Sequence, residues 1–421
     1  MRSDYKDRLL IISNSVLSST RGNGKTILSY FDCLPKQCVR QLYFSTETPT
    51  VGGYEYYQLN DKDIIRGQFC RKKRGRAISG VKDQAVSDFV YKSARIKTPF
   101  FRIMRECLWF KKWKSPQLIK WLDDYMPTAV FFVGGDSIFA YAICKYICER
   151  FRARISLYIT DDYIMPRHDE SLLSKLRRSL VAKKMKACAK NCDVFFTISR
   201  PMQKAYGKLF GKESHLIVNM PSSLKRDATV KDNASLTMVY AGSLYYGREN
   251  MIAQIAHSIQ RYNSQNNETL YLKIFANTAP EESVLKKIEV EGASGYCGSL
   301  GQNELIEELN EADILVFVES FDEEEKEKTR FSLSTKVPEY LSLGKPIFAV
   351  GPGDIGSMDY LSDVAACVND ESKIYDALND LVNDKQYQKR LGEKAEAKYY
   401  RNHDKKTVQA NLIDLVLGSE A

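Results

Sequence analysis

Short runs of apolar, β-branched and aromatic residues recur along this chain, and amphipathic, helix-like segments separate them. In the first half the runs are RLLIIS (8–13), QLYFS (41–45), TAVFFVGG (128–135), RISLYIT (154–160) and DVFFTIS (193–199). In the second half they are LTMVYAG (236–242), LYLKIFAN (270–277), DILVFVE (313–319) and KPIFAVG (345–351). A strand buried on one face alternates apolar and polar residues. These runs are almost continuously apolar, as a parallel sheet covered by helices on both faces requires. Two such series predict an α/β protein of two doubly wound domains, divided at the polar, proline-containing stretch NMPSSLKRDATVKDNAS (219–235). Ligands of open α/β sheets sit beyond the carboxyl ends of the strands, so chemistry is expected in the strand-end loops. Two domains facing one another would open both sets of loops into one cleft.

One such loop, in SSTRGNGKTIL (18–28), looks like the end of a phosphate-binding P-loop. The full pattern G-x-x-x-x-G-K-[ST] has a glycine five residues before the second one. That position is Ser19, and the strand LLIIS ends at Ser13, too early to run straight into the loop. A P-loop nucleotide hydrolase is therefore not expected, and the loop needs another explanation.

The chain has 421 residues, enough for two domains, and its 44% hydrophobic and 27% charged content is that of a soluble globular protein. The opening MRSDYKDRLLIISNS carries no signal-peptide core, and no apolar run is long enough to span a bilayer. A cytosolic protein is expected, with its ten cysteines reduced. Cys144/Cys148 and Cys188/Cys192 lack the closer spacing and nearby histidines of zinc sites, and read as small buried hydrophobes. The net charge of +9 is split: residues 1–220 hold 40 Lys+Arg against 20 Asp+Glu, and the remainder is net −11. The basic half points to an anionic partner. Nucleic acid is not expected, because no reading motif is visible and the second half is acidic.

The stretch FSLSTKVPEYLSLGKPIFAVGPGD (331–354) carries the most specific signal. Ser334, Thr335 and Lys336 stand at the start of a helix-like segment, whose tip offers N–H groups and a positive dipole end to a phosphate. Pro338 suits the first turn. Glu339, one turn on, is placed to accept hydrogen bonds from a ribose diol. Gly344-Lys345-Pro346 ends the helix and starts the next strand.

This stretch resembles the donor-site signature of retaining GT-B glycosyltransferases of the group called family 4, in particular their polysaccharide-biosynthesis members (capsule or O-antigen). MVYAGSLYYGREN (238–250) resembles the first strand and glycine turn of their nucleotide-binding domain, and 295–319 the following base-binding loop, helix and strand. FFVGGDSIF, LYITDDY, DVFFTISRPMQKAYGKLFG and HLIVNMPS resemble successive strand ends of their acceptor domain. The resemblance implies an α/β GT-B fold of two Rossmann-like domains facing an inter-domain cleft. Residues 1–222 would bind the acceptor and 223–395 the nucleotide sugar, with a helix over 396–421 packing back on the first domain. It implies hexosyl transfer from a nucleoside-diphosphate sugar, a UDP-sugar by expectation, to a hydroxyl of a saccharide acceptor. Gly242 and Ser243 would let backbone approach the diphosphate. Arg248, Lys336 and the helix tip at Ser334 and Thr335 would stabilise it on departure. Gly22, Asn23 and Gly24 would line the cleft as the glycine-rich turn of these enzymes, reaching the sugar or its phosphate. Asp161 or Asp162 would orient or deprotonate the acceptor. No metal site and no cofactor are expected, since the positive groups take the place of a divalent ion.

Three departures stand out. The first of the two glutamates common in the family, eight positions before Glu339, is Phe331 here. No basic residue closely follows Arg248, and Thr160-Asp161-Asp162 stands where several relatives have a histidine. Phe331 raises the alternative of a catalytically idle GT-B accessory or binding subunit. FFRIMRECLWFKKWKSPQLIKWL (100–122), with RKKRGR (71–76) upstream, interleaves basic and aromatic residues and fits the headgroup layer of an anionic membrane. A lipid-linked acceptor would need such docking, at the inner face of the plasma membrane.

Overall fold

A computed structural model of the chain describes residues 7–20, 22–67, 74–79, 98–110, 112–168, 170–221, 224, 235–267 and 269–418. Half of the RKKRGR cluster (71–73), and most of the polar stretch 219–235, lie outside the described residues. The chain divides into two units. Unit 1 comprises Met1–Ile198, Gln203–Ile217 and Lys406–Ala421; unit 2 comprises Ser199–Met202 and Val218–Lys405.

Unit 1 is built on β1 (Leu9–Ser13), β2 (Val39–Tyr43), β3 (Glu55–Gln58), β4 (Arg76–Ser79), β5 (Ala129–Gly134), β6 (Arg154–Ile159), β7 (Val194–Thr197) and β8 (His215–Leu216). Their order is β4-β3-β2-β1-β5-β6-β7-β8, parallel throughout except for the antiparallel edge strand β4. Every residue of β1 is buried, as a central strand covered on both faces requires. The strand order reverses between β1 and β5, so the loops after these strands flank the ligand-binding edge of the sheet.

Unit 2 is a six-stranded parallel sheet of β9 (Ser235–Ala241), β10 (Thr269–Phe275), β11 (Ser294–Gly298), β12 (Ile314–Val318), β13 (Ile347–Val350) and β14 (Ala366–Val368). The order β11-β10-β9-β12-β13-β14 is the 3-2-1-4-5-6 arrangement of dinucleotide-binding sheets. Two apolar layers enclose it. One is built around Ile252, Ile255 and Ile259 of the Arg248–Gln265 helix. The other is built around Val337, Tyr340 and Leu341 of the Lys336–Ser342 helix. The switch point lies between β9 and β12.

The expected C-terminal return over 396–421 begins later, at Lys406. The Lys385–His403 helix stays on unit 2 because its last turn is tied there. Tyr399 Oη donates to the Pro221 carbonyl at 2.7 Å, and His403 is fully buried between Tyr360 and Asn219. Gln409 then anchors the chain to unit 1, its Nε2 donating to Ser29 O and Asp32 Oδ1, each at 2.7 Å. Among the described residues no helix is long and apolar enough to cross a membrane. Cys144, Cys148 and Cys192 are buried and Cys188 is half-buried. Among the described residues no group of three or more His, Cys, Asp or Glu is arranged to hold a metal ion.

Candidate nucleotide-sugar site

The switch point of unit 2 gathers residues from three separate loops. After β9 the chain turns at Gly242-Ser243. Tyr240 Oη donates to the Ser243 carbonyl at 2.6 Å, and the Ala241 N–H donates to Tyr340 Oη at 3.2 Å, which holds the strand end against the Lys336–Ser342 helix. A Cβ on Gly242 would overlap Lys336 Nζ, so the space left by the missing side chain is where the ammonium rests. The same ammonium stands 5.8 Å from the centre of the Tyr240 ring. Across the switch point, Glu319 follows β12 and is 2% exposed. Arg248, at the start of the next helix after β9, meets it with Nη2 2.9 Å from Oε2 and 3.1 Å from Oε1.

Burial pushes the Lys336 ammonium down to about 8; the like charge of Arg248 adds to this, and Glu319 and Glu339 pull the other way. Burial raises the Glu319 carboxyl, with Arg248 opposing. Lys336 and Arg248 are the cations an anionic ligand would meet here, with Glu319 and Glu339 as their acidic neighbours. A cavity of about 640 Å³ opens beside it, lined by Gly242, Ser243, Tyr245, Asn277, Leu300 and Lys336 among others. That volume lies within the range of small-molecule sites.

The helix tip differs from the sequence expectation. The helix starts at Lys336, not Ser334, and runs seven residues to Ser342. Ser357 Oγ donates to the Ser332 carbonyl and accepts from the Ser334 N–H at 3.0 Å, which holds 332–334 outside the helix. The Ser334 N–H is thus committed within the protein, and Thr335 is exposed. Positive character at this end comes chiefly from Lys336. Glu339 lies close enough to Lys336 to act on its charge. Phe331 lies under the Arg330 guanidinium, 4.9 Å from its ring centre, and its carbonyl accepts from Ser199 Oγ at 2.7 Å.

In unit 1, Gly22, Asn23 and Gly24 form the first turn of the Gly22–Phe31 helix. Gly22 and Asn23 are exposed. Gly24 is buried, and a Cβ there would overlap the Val16 carbonyl. Its lack of a side chain serves the close approach of helix to loop. Gln41 secures that loop, accepting from Leu17 N and donating to Ser13 Oγ and Ser15 O. Asp162 is buried, and its Oδ1 accepts from Ile164 N, Met165 N and Tyr206 Oη at 3.0–3.2 Å. It is a tie for the turn after β6. Asp161 is the exposed member of the pair, and its Oδ1 accepts from Asp162 N.

The basic, aromatic segment also folds differently from expectation. Trp109, Trp113 and Trp121 are all buried. Trp109 stacks on Phe139 with ring centres 3.7 Å apart, and its Nε1 donates to Asp61 at 2.7 Å. The exposed apolar residues are Phe100, Phe101, Met104 and Phe110 instead.

Sequence reading missed Glu319 and the exposed pair Tyr245-Tyr246. The signal for Glu319 was an acid closing the apolar run DILVFV, which marks a strand end without naming its partner.

No protein-family model matches the chain, and no curated protein matches it in sequence. Solved structures match over nearly its whole length. Anabaena HepE in complex with UDP-glucose shares 11% identity over 97% of this chain and 98% of its own, with a TM-score of 0.56. A Burkholderia xenovorans UDP-forming α,α-trehalose-phosphate synthase, in complex with glucose-6-phosphate, shares 11% over 97% and 99%, at 0.56. The Thermosynechococcus elongatus sucrose-phosphate synthase shares 10% over 97% and 98%, at 0.60. These neighbours are GT-B glycosyltransferases, and the fold of this chain is GT-B.

Proposed function

We propose that the chain is a retaining glycosyltransferase of the family-4 kind, moving a hexosyl group from a UDP-sugar to a hydroxyl of a saccharide acceptor. The observation that carries this reading is the seat of the Lys336 ammonium on the Gly242 turn, beside Arg248, at the switch point of a 3-2-1-4-5-6 sheet. The structural neighbours support the donor class, since one holds UDP-glucose and another is a UDP-forming synthase. In the reaction the bond from the anomeric carbon to the diphosphate breaks and a bond to the acceptor oxygen forms. The hydroxyl proton passes to a departing phosphate oxygen. Lys336 and Arg248 stabilise the charge that builds on the diphosphate, the preorganised electrostatic contribution that is usually the largest. Glu319 fixes the Arg248 guanidinium in place. Glu339 takes the ribose, Gly22 and Asn23 reach the transferring sugar or its phosphate, and Asp161 orients the acceptor hydroxyl. No metal or cofactor enters the reaction.

We place the protein at the cytoplasmic face of an anionic membrane with a lipid-linked acceptor, in surface-polysaccharide assembly. Leu172, Leu176 and Leu180 recur every four residues on the Leu172–Asn191 helix and are exposed, Leu172 at 85%. They are accompanied by exposed Lys175, Lys183 and Lys184. The Pro99–Trp109 helix packs beside this helix and adds exposed Phe100, Phe101 and Met104. Apolar residues flanked by lysines suit an anionic bilayer surface.

The test is release of UDP from a panel of UDP-sugars, with the anomeric configuration of any product followed by NMR. Turnover that disappears in Lys336→Ala supports the reading. Tight UDP-sugar binding with no turnover on any acceptor would favour the accessory-subunit reading, which Phe331 motivates.

A further inference from the structure

We propose a second anion site, in unit 1, that takes the phosphate or diphosphate group of the acceptor; the assignment to an acceptor, but not the binding itself, rests on the function proposed above. A cavity of about 300 Å³ is lined by Arg102, Arg167, Arg177 and Arg178, together with Asp136, Asp162 and Glu170. It lies beyond the carboxyl ends of β5 and β6, where ligands of such sheets bind. The side chains come from three places: Arg102 from the Pro99–Trp109 helix, Arg177 and Arg178 from the Leu172–Asn191 helix, and Arg167 from the turn after Asp161-Asp162.

Asp136 holds two of the guanidinium groups together. Its Oδ2 lies 2.8 Å from Arg102 Nη1 and 3.0 Å from Arg177 Nη2. Arg178 Nε donates to Glu170 at 2.8 Å and its Nη1 to the Ile164 carbonyl, while Arg167 Nη2 donates to the Asp162 carbonyl. Asp162 spends its own Oδ1 on the turn and Tyr206. The carboxylates therefore orient the arginines without using up their donors. Arg102 Nε and Arg177 Nε are both buried and have no hydrogen-bond partner among the described residues. The four arginines outnumber the three carboxylates that line the cavity, and the planar fork of a guanidinium suits a phosphate oxygen. Asp161, proposed above to orient the acceptor hydroxyl, feels the charges of both Arg167 and Asp136. An acidic group held in this cavity would bring the rest of the acceptor alongside Asp161.

The test is calorimetric titration of sodium pyrophosphate into the full chain with saturating UDP present, so that the donor site is occupied. Binding that weakens as salt rises is expected, weakened about tenfold by Arg102→Gln and by Arg178→Gln, the size of one charge-assisted hydrogen bond. Arg102 is 40% exposed at its side chain, so its replacement carries little folding risk. A second arm measures retention on phosphatidylcholine vesicles with and without farnesyl diphosphate. Retention that needs the diphosphate lipid and Arg102 identifies a lipid headgroup. Pyrophosphate binding without such retention identifies a soluble acid. No pyrophosphate binding, or equal binding by wild type and both variants, overturns the site. UDP affinity read in the same cell keeps that outcome separate from failure of the donor site.

Discussion

Lys336 gives the sharpest handle on the donor site. Its ammonium sits on the Gly242 turn with a pKa of about 8, lowered from 10.5 first by burial and then by Arg248. A bound diphosphate brings opposite charge to that ammonium and should return its pKa towards the ordinary value. If the return is complete, binding and protonation are coupled by about 3 kcal/mol, from roughly 1.36 kcal/mol per pKa unit. The direction follows from the lowered pKa: binding takes up a proton above pH 8, so UDP affinity falls as pH rises. Between pH 7.5 and pH 9.5, with the terminal phosphate already fully ionised, the dissociation constant should rise about twentyfold. Lys336→Met removes both the contact and the titration. Affinity at pH 7.5 should drop by about 1.5–3 kcal/mol, the range for a hydrogen bond to a charged group, and the pH slope should flatten. Calorimetric titration of UDP across this pH range, in wild type and variant, reads both effects. A Lys336→Met protein that binds UDP like wild type, or keeps the same slope, would refute the assignment.

Three further outcomes follow from packing and charge. Glu319→Ala leaves Arg248 largely buried without its partner and should lower stability by about 3 kcal/mol, seen as a lower urea midpoint. Gly24→Ala forces a methyl group against the Val16 carbonyl and should cost about 1–3 kcal/mol in thermal melts, although alanine is the better helix former. His403 is buried, its Nδ1 facing the Asn219 carbonyl and its Nε2 accepting from Tyr360 Oη, and burial lowers its pKa to about 4. Above pH 6.5 the imidazole is neutral in both folded and unfolded chain, and its contribution is complete. As pH falls towards 4 the unfolded chain takes the proton first, so stability should fall by about 2 kcal/mol between pH 7 and pH 5. Urea unfolding followed by circular dichroism measures this, and His403→Asn should remove that part of the pH dependence.

Much of the fold was legible because most central strands are near-continuous apolar runs, as in LLIIS and ILVFV. The strands without such a run were not legible in that way. β4 is an exposed antiparallel edge with the residues RAIS, and β8, two exposed residues, was reached only through the resemblance of HLIVNMPS to a strand end. The same contrast holds at the site. Gly242 and Lys336 stand out in local motifs, whereas Glu319 acquires meaning only when the topology brings it to Arg248, 71 positions away. In the sequence a buried, turn-capping role for Asp162 stood level with a role on the acceptor, because two of the partners that decide it are backbone N–H groups. The tryptophans looked like surface anchors because their basic neighbours suggested a wet face; stacking on Phe139 and the bond to Asp61 put Trp109 inside.

The most direct test of the central claim is a crystal structure of the chain with UDP bound. Diphosphate oxygens within about 3 Å of Lys336 Nζ and the Gly242 backbone, with the ribose on Glu339, are the predicted arrangement. UDP seated away from the switch point between β9 and β12, with Lys336 and Arg248 undisturbed, would contradict it.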